Sequence, residues 1–354
     1  MSARPRVVVI GAGPAGIATA LGLGGGAPCV VLERRGDVGG LCGSLEIDGA
    51  VFDLGGHAFT TPHAEVRALV FGALSMVEQK REARCWVDGA RVEYPFQRHF
   101  TALRDRDVVD ACARGLATAD DGADAAHFED YLARRFGAGI AAHFLLPYNR
   151  KLWARDLRGL ATDWVGERVA APAGDADGAA GASRRTPLAE DSRVAYPESG
   201  GYVEIVRALA RGVGDIRLDS AVERVDLGRR EVTTARGAVV AFDRLVSTIA
   251  VDDLLGRIVG APAALRAGAA ALESVSLALV LAVVDGPVRT PVQRIYVADP
   301  GVLPHRSCSI TTRRTRCGDG RGTRSPPRSR SRRRSRCRRA ISSAASSTIS
   351  SRSG

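Results

Sequence analysis

No two cysteines in this chain are spaced as CxxC, and the seven present, at positions 29, 42, 85, 112, 308, 317 and 337, are odd in number and irregular in spacing. That excludes reading them as a disulfide framework or a zinc site and fits a reducing, cytoplasmic setting. No apolar stretch reaches the ~20 residues that a membrane-spanning helix requires. The apolar run behind Arg4 and Arg6 is interrupted by glycines at fixed spacing, unlike a secretory leader, so a soluble protein without a membrane partner is expected. The chain also lacks a GxSxG elbow, an HExxH pair and any conspicuous pairing of acids. Nothing in it therefore points to a serine nucleophile or a zinc hydrolase.

Positive charge is abundant, but only at one end. Residues 307–354 hold 14 Arg, no Lys and one Asp, a net of +13 against +11 for the whole chain, so residues 1–306 carry −2. This Arg- and Ser-rich tail has no apolar periodicity and is expected to be disordered. A basic arm for nucleic acid is the usual reading of such a run. The tail lacks aromatics on which bases could stack, and no nucleic-acid partner is expected.

The N-terminal stretch RVVVIGAGPAGIATALGL passes from a β-branched run through Gly11, Gly13 and Gly16 into an apolar helix. Strand, glycine turn and helix in this order form a Rossmann-like dinucleotide site. Gly11 makes the turn, Gly13 admits the pyrophosphate and Gly16 lets helix pack on strand. A second strand, CVVLE, ends in Glu33, 17 residues past Gly16, where a carboxylate can accept from a ribose diol. The continuation ERRGDVGGLCGS adds a second pair, Gly39 and Gly40. That run resembles the extension along FAD in flavoproteins of the amine oxidase and protoporphyrinogen oxidase type, and favours FAD over NAD.

Farther along, FEDYLARRF places Phe128, Tyr131, Leu132 and Phe136 at helical spacing. An inserted helical lobe is expected there, followed by a loop over 173–193 and a return to strands, with FDRLVSTIA leading back into the first sheet. The expected architecture is α/β: an FAD-binding domain begun by 1–80, a mainly helical substrate lobe over 81–195, and an antiparallel substrate sheet with the return to the FAD domain over 196–306. Residues 307–354 form the tail.

Three stretches, WVDGARVEYPFQ, PYNRKLW and WVGERVAAP, together with the glycine-histidine loop DLGGHAF, resemble the UDP-galactopyranose mutase family in its eukaryotic-type branch. The resemblance covers roughly residues 5–306. It implies that Gly55 and Gly56 bring His57 beside the flavin ring, that Tyr94 and Gln97 hold uracil, and that Asn149 and Trp153 contact the ribose and neighbouring phosphate. Arg168 and Arg306 would pair with the diphosphate, a task suited to a planar, permanently charged donor. It further implies a nucleotide-sugar substrate and ring contraction of the hexose through an adduct at N5 of reduced FAD, with NAD(P)H a candidate reductant. The alternative is an FAD-dependent oxidoreductase of the amine oxidase or protoporphyrinogen oxidase type, because one fold supports both chemistries. Neither the sugar nor the oligomeric state is legible.

From Ser307 onward the sequence reads like a shifted frame. In a GC-rich gene, codons for Leu-Val-Leu-His-His-Asn-Ser-Ser taken one base out yield Ser-Cys-Ser-Ile-Thr-Thr-Arg and most of another Arg codon, matching SCSITTRR. On that reading the segment completing the flavin site is missing, and weak FAD binding with little turnover is expected of this polypeptide.

Overall fold

The computed structural model describes residues 6–24, 28–47, 49–165, 169, 193–283 and 290–308. Arg168, all but the last residue of the loop expected over 173–193, and the tail beyond Cys308 lie outside them, and that last residue, Arg193, is in a strand. Among the described residues no helix is long and apolar enough to cross a membrane.

The chain opens with β1 (Val7–Ile10), α1 (Pro14–Leu23) and β2 (Cys29–Leu32). All four residues of β1 are buried, because both faces of a parallel sheet are covered and every side chain meets apolar neighbours. The two-residue period of a strand then divides them. Val8 and Ile10 join one core with Val225 and Val232, whereas Val7 and Val9 join another with Ile17 and Val206. Pro14 opens α1 with its φ already set for a helix.

A hairpin of β3 (Ser44–Ile47) and β4 (Ala50–Asp53) leads to α2 (Ala64–Ala73) and β5 (Met76–Lys80). Next come β6 (Ala83–Val87) and β7 (Ala90–Glu93), then α3 (Phe96–His99), α4 (Arg106–Ala117) and α5 (Phe128–Ile140). Asp105 caps α4 by accepting from the Asp107 and Val108 N–H groups. A π-turn over Ala141–Leu145 joins α5 to α6 (Leu146–Trp153). Pro147 has no N–H to continue the α-helical ladder there, and the widened turn re-phases the helix that carries Asn149 and Trp153. Phe96, Phe128, Leu132, Phe136, Ile140 and Leu157 fill the core between these helices and the strands β6 and β7.

The remainder returns to the first domain. β8 (Arg193–Pro197) pairs with β5, and α7 (Val203–Ala210) follows it; then come β9 (Ile216–Arg217), the meander β10 (Val222–Asp226), β11 (Glu231–Thr234) and β12 (Val239–Ala241), and β13 (Arg244–Ser247). The first sheet is parallel in the order β13-β1-β2-β9, so FDRLVSTIA does lead back beside β1. After α8 (Val251–Arg257) and α9 (Ala263–Ala270), β14 (Arg294–Val297) and β15 (Arg306–Cys308) complete a second sheet ordered β15-β14-β6-β7.

Two expectations are corrected here. The second sheet is mixed, since β14 runs parallel to β6 while its other pairs are antiparallel. It also draws on residues from 83 to 308, so the lobe read as helical opens with two of its strands. Both errors have one cause: a strand's neighbours are set by long-range pairing that local patterning does not encode.

Candidate functional site

Two glycine pairs meet at the C-terminal edge of β1. A Cβ at Gly16 would lie 1.9 Å from the Gly11 carbonyl oxygen, so α1 can rest this close to the turn only without one. The Gly39 N–H donates to the Ala12 carbonyl at 2.9 Å. A Cβ on Gly40, at φ +54°, would stand 3.1 Å from the Gly13 Cα. The second loop is therefore laid against the first, and the floor between them is bare backbone. The first α1 bond runs from the Ile17 N–H to the Gly13 carbonyl, leaving the Ala15 and Gly16 N–H groups as the free donors of a helix N-terminus. Glu33, 6% exposed, accepts the Ala12 N–H on Oε2 at 2.8 Å and the Arg35 N–H on Oε1 at 2.9 Å. Each oxygen keeps a lone pair for a diol. This cradle fits the pyrophosphate and ribose of a dinucleotide.

The histidine loop is tied down at both ends. Asp53, 3% exposed at the end of β4, accepts the Ser44 hydroxyl at 2.7 Å, the Tyr202 N–H at 2.9 Å and the Tyr196 hydroxyl at 2.7 Å. Gly55 sits at φ +119°, and the Gly56 carbonyl accepts from Arg294 Nη2 at 2.9 Å. A Cβ on Gly56 would come within about contact-breaking range, 2.5 Å, of Cys308 Sγ. Between these anchors the His57 ring stacks on Tyr202 with centroids 4.9 Å apart and planes 17° apart. Its Nδ1 is buried and has no partner among the described residues, an orphaned polar atom of the kind a bound ligand satisfies.

Burial pushes the His57 pKa below its ordinary 6.5, with Asp53 opposing and the Arg294 and Arg306 guanidiniums reinforcing the shift. The folded chain thus resists a proton that the unfolded chain accepts near 6.5. Stability from this group is present above that pH and lost as pH falls below it. A ring-proton NMR titration is expected to place the His57 midpoint below 6.5 and to show it rising in Arg294→Met. A midpoint at 6.5 or above in the unaltered chain would contradict the geometry.

On the second sheet, Arg294 stands opposite Cys308 and Tyr296 opposite Arg306. Alternate residues share a face, so Arg294, Tyr296 and Arg306 line one side. The Tyr94 ring stacks on Tyr296 at 4.8 Å, and the Arg81 guanidinium lies 4.7 Å from the Tyr94 centroid while Nη2 donates to the Tyr296 hydroxyl at 2.7 Å. Burial raises the Tyr94 hydroxyl to about 12, so it remains a donor at any physiological pH. Tyr148 meets Tyr296 edge-on at 5.7 Å. Gln97, 3% exposed, is the second residue of α3, which follows Tyr94 in the chain.

The remaining expected residues lie on α6. Asn149 Nδ2 donates to the Leu145 carbonyl at 2.8 Å, leaving its side-chain oxygen to accept. Trp153 packs edge-on against Trp164 at 5.1 Å, and its Nε1 is buried with no partner among the described residues. Gly11, Gly13, Gly16, Glu33, Gly39 and Gly40 are brought together directly. Gly55, Gly56 and His57 join the face that carries Arg306.

Sequence reading missed Asp53, Tyr148, Tyr202, Arg294 and Tyr296. The signal available was the alternation of Arg294 and Tyr296 in QRIYV, which puts two polar-tipped side chains on one face of a strand. Tyr202 follows a glycine pair, as His57 does.

The family described as flavin containing amine oxidoreductase matches residues 14–317. Among solved structures, reduced UDP-galactopyranose mutase is similar at 24% identity and a TM-score of 0.70, over 85% of this chain and 69% of that one. Cyclohexylamine oxidase from Brevibacterium oxydans is similar at 18% identity and 0.53, over 75% and 63%. The CLA-producing fatty acid isomerase from P. acnes is similar at 18% and 0.51, over 76% and 64%. At these identities the likeness is one of fold.

Proposed function

The chain belongs to the flavin-containing amine oxidoreductase family, and from that premise we propose that it is a flavin-dependent isomerase of the UDP-galactopyranose mutase type, acting on a nucleotide-linked hexose. The family and the fold support a flavin enzyme, and they include oxidases as well as a mutase. What favours the isomerase is charge. Arg294 and Arg306 both bear on His57, and Arg81 stands over Tyr94 and bonds Tyr296, so three guanidiniums stand beside these rings. A substrate ammonium entering there meets like charges, whereas a diphosphate meets permanent donors.

Gly11, Gly13, Gly16, Gly39 and Gly40 would hold the FAD pyrophosphate, with Glu33 on the ribose. When bound, the flavin supplies a redox-active ring that is nucleophilic in its reduced state, a chemistry the side chains lack. Arg306, with Arg168 from the segment outside the described residues, would neutralise the diphosphate as it leaves the sugar. Tyr94 and Gln97 would hold the uracil, with the Tyr94 ring supported from behind by Tyr296. Asn149 and the orphaned Trp153 Nε1 would bond the ribose and phosphate. His57, kept neutral, would present Nδ1 to the flavin edge without adding charge there. These roles orient the anomeric carbon and exclude water.

Incubated with FAD and dithionite, the chain is expected to convert UDP-galactopyranose to the furanose with no electron acceptor, however slowly. Oxygen uptake with an amine and no sugar conversion would overturn the reading.

A further inference from the structure

Lys151 is one of two lysines in the chain. It sits on α6 midway between Asn149 and Trp153 and is half-buried. Among the described residues its ammonium pairs with no carboxylate. It donates instead to three backbone carbonyls, those of Val297 at 3.0 Å, Asp299 at 3.0 Å and Val302 at 2.6 Å. An ammonium has three donors, and all three are used.

The first acceptor ends β14, and the other two belong to the connection from β14 to β15. That connection is closed at its far end by the Val297 N–H to the His305 carbonyl at 2.9 Å and braced by the Ala298 N–H to the Trp86 carbonyl at 3.1 Å. Arg306 is the next residue. We propose that Lys151 is a positioning residue for Arg306: by drawing three carbonyls of one hairpin onto α6, it sets where the hairpin delivers that guanidinium. The inference rests on the reading of Arg306 as a diphosphate ligand, and it explains why a lysine stands here in a chain otherwise supplied with arginine. A planar guanidinium cannot aim three donors at carbonyls converging on one point. Burial lowers the Lys151 pKa while Asp299 opposes this, which agrees with an ammonium held by dipoles more than by charge.

The test uses the full chain. In Lys151→Met, amide hydrogen exchange is expected to quicken across residues 297–308 and to stay unchanged in β1 and α1. Affinity for UDP is expected to fall about tenfold while affinity for uridine, which has no phosphates, is unaltered. Against Arg306→Ala, Lys151→Met is expected to cause no further loss. If Lys151→Met does not fold, Lys151→Arg takes its place, with a smaller effect in the same direction.

Unchanged exchange over 297–308 overturns the proposal, as does an equal loss of UDP and uridine affinity. Failure of the unaltered chain to bind UDP would count against the mutase reading alone. The exchange comparison would still decide the role of Lys151.

Discussion

Gly16→Ala is expected to destabilise the protein by about 3 kcal/mol, the upper part of the range for overpacking a filled site, and to remove most of its affinity for FAD. The added methyl would stand 1.9 Å from the Gly11 carbonyl oxygen, 3.0 Å from the Gly11 carbonyl carbon and 3.3 Å from Thr248 Oγ1. The two nearest atoms are backbone, which no rotamer change can move. Helix α1 must therefore lift from β1, taking Ile17 out of the core it shares with Val7, Val9 and Val206. The same shift turns the helix N-terminal donors away from the cradle. Thermal unfolding and FAD titration check both consequences. A variant that melts with the unaltered chain would mean that α1 does not rest on the turn as described.

Arg306→Ala is expected to act on binding with little effect on folding. Loss of a charge-assisted bond to a phosphate is worth roughly 2–3 kcal/mol, or about a hundredfold in affinity. Its electrostatic neighbours His57 and His305 are rings whose protonation it disfavours, so folding loses no attraction to them on its removal. The melting temperature is expected to hold as UDP affinity falls, the trade common at functional sites. Unfolding that parallels the loss of binding would assign Arg306 to the scaffold.

How far the sequence anticipates this structure follows the range of the forces involved. The glycine loop, β1, α1 and β2 are local: β-branched residues, a turn that needs glycine and a proline at the first helical position decide them within about 25 residues. Gly11, Gly13, Gly16 and Glu33 were legible for that reason, whereas Gly39 and Gly40 came from resemblance to the flavoprotein extension. The helix through Phe128, Leu132 and Phe136 was legible from its period, though not the π-turn that ends it.

The far rim of the site was not legible. Arg294 reaches the Gly56 carbonyl across 238 positions of chain, and Tyr196 reaches Asp53 across 143. The first exists only once β14 has chosen β6 as its parallel neighbour, and the second only once β8 has paired with β5. Tyr202 was missed because its ring is placed by a bond from its own backbone N–H to Asp53, and no spacing rule announces that. Resemblance supplied Tyr94, Gln97, Asn149 and Trp153, and the structure adds the rings packed against Tyr94 and Trp153 and the carbonyl that holds Asn149.

The account depends most on the crevice between the two glycine pairs being built for a flavin dinucleotide. The direct measurement is thermal unfolding of the full chain at rising concentrations of FAD, and separately of NAD, because a ligand that binds only the folded state raises its stability even when affinity is weak. The account predicts a concentration-dependent rise with FAD, absent in Gly16→Ala, and none with NAD. A rise with NAD and none with FAD would contradict it.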